Sequence, residues 1–391
     1  MNFIYKIDIT IYYVLLLYAL ASSISIAVAN IAISLATLLA IVRHIKEPLA
    51  MNIDKGLVKA IGVFLLAVFI SAIFAYKPIV GFDRLWAYTY RMFPLILAMM
   101  FIRNKEQMIK VLIIMGASIF IADSYAIWQG VHGNYRANAF SGHYMVLAGC
   151  LIQMIPLLLI VGLENEFIST NIKIYFISTV LISGIALIYN GTRGAWIAVL
   201  VALLVYSMIN IKENKKIGIG VLTVCLIGGI LAVNMPVVKD RALSIVNYRS
   251  NSDDRIPLWI SSWHMFKDHP LVGVGPNNFA VVYQSNYILP EAKEPDLGHA
   301  HNNFIQMLAE TGIIGLSSFV YMFGYILLTM YRRYMIHRQN IWSLVAFIVT
   351  ISLLVQGLTE YNFGNSAVIR MYWFILGLMY AASNIDSKST E

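Results

Sequence analysis

Charge is what this sequence has least of. Only 12% of its 391 residues are Asp, Glu, Lys or Arg, about half the share found in a soluble globular chain. Apolar side chains fill the gap at 59%, with mean hydropathy +0.73. That balance excludes an ordinary soluble domain and points to a polytopic membrane protein. Cysteine is nearly absent as well. Cys150 and Cys225 both sit in apolar runs, which excludes a disulfide framework and a cysteine-based zinc pattern and leaves the redox compartment unread. Internal repeats and low-complexity tracts are missing. The net charge of +8 suits loops that face anionic lipid rather than nucleic acid, so no nucleic-acid partner is expected.

Long apolar runs are what the chain has in abundance. A membrane-spanning helix needs about 20 mainly apolar residues. Twelve segments qualify: 8–23, 25–42, 57–76, 85–102, 108–129, 143–163, 172–190, 194–210, 217–234, 303–330, 341–358 and 366–382. The first lacks a small-residue cleavage site and reads as a retained span. The expectation is an all-α polytopic membrane protein of about 12 transmembrane helices, one transmembrane domain over 1–391. With the N-terminus inside, the inner loops hold fourteen Lys and Arg, Arg43, Arg103, Lys173 and Arg333 among them, whereas the outer short loops hold four. The positive-inside rule therefore puts both termini in the cytoplasm.

One connection breaks the pattern of short loops. Residues 235–302 run outside, between the ninth and tenth spans, too long to be structureless in a compact protein. Within this large periplasmic loop, "SDDRIPLWISSWHMFKDHP" reads as a helix capped by Ser252, with Asp253 and Asp254 on its positive end and Pro270 beyond it. Ile256, Trp259, Ile260, Trp263 and Phe266 recur at helical spacing, an apolar face for the membrane surface or the top of the bundle. "GVGPNNF", Gly273–Phe279, marks a turn.

The next stretch, "GHAHNNFIQMLAETGIIG", carries titratable groups into a membrane helix. Asn302, Gln306 and Glu310 fall on one helical face, a stripe whose cost within the bilayer predicts a water-accessible cavity on the outer side. Gly312 and Gly315 admit a closely packed helix. His299-x-His301, with Asp296 and His264 or His269, offers a spacing for a metal. Neither a Cys, a His-Glu-x-x-His helix nor clustered carboxylates accompany it, so no metal site is expected. Several arginines map to the outer side against the positive-inside rule: Arg84, Arg136, Arg193 and Arg255, with Arg91 deeper on the face of Arg84. Guanidinium groups bind phosphate bidentately. Their grouping around a histidine predicts an anionic, phosphate-bearing substrate arriving from the outer leaflet.

These segments match a known pattern. "His301-Asn302", nine residues, then "Gly312-Ile-Ile-Gly315" resembles the signature of bacterial O-antigen ligases, shared by O-antigen polymerases and protein O-oligosaccharyltransferases. "RIPLWISSWHMFKDHPLVGVGPNNF" is similar to the loop segment that precedes it in that family, and "NGTRGAW" to the upstream arginine motif. The resemblance implies a C-type glycosyltransferase of the inner membrane, its active site facing the periplasm. Such an enzyme transfers a polysaccharide from undecaprenyl pyrophosphate to a sugar hydroxyl of lipid A–core, without metal or other cofactor. Carried over, His301 is the catalytic base, and Arg193 and Arg255 bind the pyrophosphate. Arg136, His299, Asn302, Arg91 and Glu310 are further candidates, with Glu310 or Asn302 to orient the imidazole. One direct displacement would invert the anomeric carbon.

Two alternatives stay open. An O-antigen polymerase would use the same donor with a second lipid-linked unit as acceptor, but usually relies on two arginine-rich loops where this chain has one. A twelve-span secondary transporter would place its long loop after the sixth span, not the ninth.

Overall fold

The computed structural model describes residues 3–48, 54–233, 255–292, 296–338 and 340–389, and its described residues contain helices and turns but no strand. The helices are α1 (Phe3–Ala21), α2 (Ile26–Lys46), α3 (Lys55–Ile73), α4 (Pro78–Arg91), α5 (Phe93–Phe101), α6 (Lys105–Val131), α7 (Tyr144–Glu164), α8 (Thr170–Asn190), α9 (Arg193–Glu213), α10 (Lys215–Val233), α11 (Arg255–Asp268), α12 (Asn303–Ile336), α13 (Ile341–Gln356) and α14 (Ser366–Ser389). Their starts follow capping chemistry. Ser25, Asp54, Asn104, Ser169, Asn302 and Asn340 each accept a backbone N–H from the first turn they open, supplying partners that the helix itself lacks.

Nine of the described helices are long and apolar enough to cross a membrane: α1, α2, α3, α6, α7, α8, α9, α12 and the stretch Ser366–Ser383 of α14. They coincide with nine of the twelve expected spans. The expected span 85–102 is instead two short helices broken at Met92. Pro94 has no N–H to donate to the preceding turn and its ring crowds that turn, which favours a break here, with Pro94 in the first turn of α5. The expected span 217–234 corresponds to α10, which ends at the edge of the described residues. The span 341–358 is the 16-residue apolar helix α13.

α7 and α14 form the centre, buried along nearly their whole length. α13 packs on α7 and α9, α12 on α3 and α13, and α14 on α5. The surrounding helices present Ile31, Leu38, Leu66, Leu181 and Leu226 outward, the apolar exterior a lipid-facing surface needs. The turns after α7, α9 and α12 meet at one end, where they line a cavity of about 430 Å³. The charge count assigns those three turns to the same, inner, side.

In the long connection, α11 starts at Arg255 as the sequence predicts, while the expected cap at Ser252 and the acidic pair Asp253 and Asp254 lie outside the described residues. Of the two placements open to its apolar face, the structure turns most of that face away from the bundle. Pro257, Leu258, Ser261, Ser262 and Met265 are buried, whereas Ile256, Ile260 and Trp263 remain exposed. Trp259 is held at the boundary by its indole N–H, which donates to Ala300 O at 2.9 Å.

The packing partner of Gly312 also differs from expectation. The atoms nearest to it belong to Leu271 and Val272, not to a helix. Gly312 takes φ 62°, ψ −164° inside α12 and breaks the helix. Into the break runs the extended stretch 270–275. Ile313 and Ile314 donate their N–H groups to the carbonyls of Pro270 (2.9 Å) and Leu271 (3.3 Å). Val274 and Gly275 in turn donate to Ala309 (3.0 Å) and Glu310 (2.8 Å). The Ser71 hydroxyl of α3 reaches the carbonyls of Val272 (2.6 Å) and Glu310 (3.0 Å). The N–H groups of Ile313 and Ile314 and the carbonyls of Ala309 and Glu310 thus find partners across the kink, as a low-dielectric surrounding demands.

A Cβ on Gly312 would lie 2.4 Å from the Leu271 carbonyl carbon, at a φ that L-residues avoid. Gly312→Ala is therefore expected to lose about 1–3 kcal/mol. Thermal melting of the detergent-solubilised protein checks this; an unchanged melting temperature would show that the break tolerates a side chain.

Candidate active site

His301 sits where the long connection enters α12, and its backbone takes φ 47°, left-handed and rare for a residue with a branched ring side chain. The neighbours impose it. Ala300 is fixed on both sides, its carbonyl by Trp259 and its N–H by Gln306 Oε1 at 2.7 Å. Asn302 turns its side-chain oxygen to the N–H groups of Phe304 (2.8 Å) and Ile305 (3.1 Å), while its amide N–H₂ donates to Leu358 O at 2.8 Å. Asn303 exchanges bonds with the same turn: its N–H with Gly357 O, and its side chain with Asn362 and with the Phe363 N–H. The start of α12 is thereby fastened to the turn 357–365 between α13 and α14.

That turn delivers Glu360. His301 Nδ1 lies 3.0 Å from Glu360 Oε2, and His299 Nε2 lies 4.0 Å from Oε1. The two imidazoles meet edge to face with centroids 4.1 Å apart. The Glu360 carboxylate is 10% exposed and the His301 ring 23%, so the acid is buried and the base is reachable. Burial alone would raise the Glu360 carboxyl, but the hydrogen bond from His301 and the charges of His301, His299 and Arg255 outweigh it and hold it below its ordinary value. Burial pulls His299 down, His301 adds to that, and Glu360 opposes it. With Nδ1 of His301 engaged, Nε2 is the nitrogen left to exchange a proton with a ligand.

A cavity of about 190 Å³ opens beside the pair, lined by Arg84, His299, Glu360, Tyr361 and Asn365 among others. The Tyr361 hydroxyl meets that of Tyr88 at 2.6 Å, and Arg84 bonds Asn277 and lies over the Tyr88 ring. Burial pushes the Tyr361 phenol well above its ordinary value, which keeps it neutral.

The arginines divide into two groups. Arg193 is the first residue of α9, and Gly194 brings that helix end against the turn carrying Glu360, since a Cβ there would lie 2.0 Å from Thr359 Oγ1. Thr192, the N-cap, makes no capping bond, and its hydroxyl is buried without a hydrogen-bond partner. Arg255 is the first residue of α11. Arg136 is exposed, its guanidinium 4.4 Å over the Tyr144 ring. Arg193 feels the charges of both Arg255 and Arg136, and Glu360 feels Arg255. The structure thus brings Arg136, Arg193 and Arg255 to the His301 side. Arg91 belongs to the other group, near Arg84, and donates to Gly364 O at 2.9 Å.

The polar stripe departs from expectation. Asn302, Gln306 and Glu310 are all buried and face protein rather than water: Asn302 the turn at Leu358, Gln306 the backbone at Ala300 and Glu310 the backbone at Phe279. Asn302 caps a helix, and Gln306 holds Ala300. Glu310 Oε1 accepts the Phe279 N–H at 3.3 Å. None of the three orients the imidazole. Glu360 does, 59 residues along the chain from His301. Its sequence signal was an acidic residue in "TEYNFG", a polar turn between two apolar runs on the side assigned to His301; a count of positive charges alone passes over it. Asp296, His264 and His269 do not join His299 and His301. Glu360 does, as the third member of a group able to hold a metal.

This is a multi-pass helical membrane protein with a carboxylate-held histidine at one end of its bundle and arginine-tipped helices around it. Residues 178–320 match the family model described as O-Antigen ligase. The chain is also similar to an O-antigen ligase of Salmonella typhimurium (strain LT2), 24% identical over 187 residues, which span 46% of this chain and 45% of the relative. Over residues 178–320 the chain is thus similar to the O-antigen ligase family, and its match spans about half the length of that relative. The family match takes in Arg193, Arg255, His299, His301 and Gly312, and stops short of Glu360.

The depressed value of His299 has a stability consequence. As pH falls through its ordinary 6.5, the unfolded chain binds the proton first, so the stabilisation from a neutral His299 is present above that pH and is lost below it. Glu360 adds its own loss only below its ordinary 4.5. Between about pH 7.5 and 5.5 the melting temperature is expected to fall further in the wild type than in His299→Phe. Parallel curves would mean that His299 does not resist protonation.

Proposed function

We propose that the chain is an O-antigen ligase, a glycosyltransferase that moves a polysaccharide from undecaprenyl pyrophosphate to a sugar hydroxyl of lipid A–core. The protein would lie in the bacterial inner membrane with both termini cytoplasmic and this site facing the periplasm. The observation that carries the reading is the His301–Glu360 pair, 3.0 Å apart, beside the arginine-tipped starts of α9 and α11.

In this reading the acceptor hydroxyl oxygen attacks the donor's anomeric carbon as the bond from that carbon to the diphosphate oxygen breaks. The hydroxyl proton passes to His301 Nε2, and later to solvent. Glu360 holds the Nδ1–H, fixes the tautomer and stabilises the imidazolium as it forms. The leaving diphosphate gains negative charge. Arg193 and Arg255 meet it at two helix N-termini, where guanidinium groups act together with the positive ends of the helix dipoles; Arg136 supports them from the exposed side. The carbon is attacked opposite its leaving group, so its configuration inverts. Nothing in these steps calls for a metal.

The test supplies purified protein with lipid-diphosphate-linked O-antigen and lipid A–core in the presence of EDTA. Lipopolysaccharide ladders are expected. Their absence, with donor converted only to longer lipid-linked chains, would make the protein a polymerase. His301→Ala is expected to abolish transfer, and Glu360→Gln to lower kcat by about 10–100-fold with little change in KM. Arg255→Lys keeps the charge but loses the bidentate fork, and most activity should go with it; full activity in that variant would remove Arg255 from the site.

A further inference from the structure

His299, His301 and Glu360 each offer one ligand atom, and the three atoms lie within 4.8 Å of one another. We propose that this triad is an inhibitory site for a divalent transition-metal ion, with zinc as the best-fitting case. A zinc ion bound by nitrogen and oxygen sits about 2.0–2.2 Å from each ligand, which puts ligand atoms roughly 3.3 Å apart around a tetrahedron. His301 Nδ1 and Glu360 Oε2, at 3.0 Å, already have nearly that separation. His299 Nε2 and Glu360 Oε1, at 4.0 Å, need only a small closure.

The donor set also selects the ion. Two imidazoles and one carboxylate suit zinc and its transition-metal neighbours, and exclude magnesium and calcium, which take oxygen. Three protein ligands leave a fourth position open toward the adjoining cavity, where water completes the shell. Two positive charges act against the ion, because Arg84 is felt by His299 and Arg255 by Glu360. Occupancy is therefore reversible and responds to the surrounding zinc concentration.

The ion and the acid–base pair compete for the same atoms. Zinc takes the place of the Nδ1 proton on His301 and turns Glu360 from an orienting group into a ligand. The displaced proton moves to Nε2, so that nitrogen carries a hydrogen, has no free lone pair and no longer serves as a base. A site built to handle a proton is thus closed by a metal without any second pocket.

The binding test is independent of the transfer reading. Purified full-length protein, stripped with EDTA, is titrated with zinc chloride by calorimetry. One zinc per chain is expected, undisturbed by excess magnesium. Glu360→Gln and His299→Ala should each weaken binding by at least about tenfold. The double variant His264→Ala, His269→Ala removes histidines outside the triad and should bind as the wild type does. Metal-free melting curves establish that each variant is folded. Zero stoichiometry, or binding unaffected by Glu360→Gln and His299→Ala, overturns the proposal. In the transfer assay, zinc should inhibit and EDTA should restore the rate; inhibition that persists in folded His299→Ala would place the inhibitory ion elsewhere.

Discussion

Backbone polar groups in a membrane must be paired within the protein, and the break in α12 at Gly312 is where that requirement bears hardest. A helix interrupted in hydrocarbon exposes donors and acceptors that water cannot reach. Here the extended stretch 270–275 fills the gap and is itself held by Ser71 of α3. The long connection is therefore part of the bundle. Because it enters at a fixed point, the segment that follows has a set path back to the start of α12. That path places Ala300 between Trp259 and Gln306, and it imposes the left-handed turn at His301.

The second fastening lies between the start of α12 and the turn 357–365. Asn302 and Asn303 make several bonds to that turn, most of them to its backbone. Asn302, the first member of the polar stripe, and its neighbour Asn303 serve to locate a carboxylate. Short amides suit the task, since they hold both a donor and an acceptor at fixed distance. The cost of burying them is met by the bonds they form, and the gain is that Glu360 reaches His301 with little freedom to move.

The all-helical membrane architecture was legible from the apolar runs and the sparse charge. The start of α12 was legible from the apolar run that opens at 303, and α11 from its spacing. The identity of His301 was carried by the adjacent motif. Apart from the grouping of arginines near His301, what escaped the sequence was the relations across chain distance. Gly312 read as a packing glycine because its φ cannot be seen in a string of letters. Glu310 read as a partner for the histidine because it is near in sequence and on a plausible face, whereas the segment that covers it comes from another part of the chain. Glu360 was passed over because attention to arginine on the outer side made no place for an isolated acid. The split at Met92 was written in Pro94, yet the run 85–102 is apolar enough to mask it.

Arg136, Arg193 and Arg255 share one neighbourhood, and two of them stand at helix ends where a positive charge is already disfavoured. Such a region is at its least comfortable when it faces plain water. Its natural state is one in which mobile anions crowd the arginines and screen them over roughly 8–10 Å. Ionic strength then acts as a weak competitor for the same ground that a multivalent anion would occupy. The arginine-rich end of the bundle is in this sense an ion exchanger, whose resting occupant is drawn from the surrounding salt.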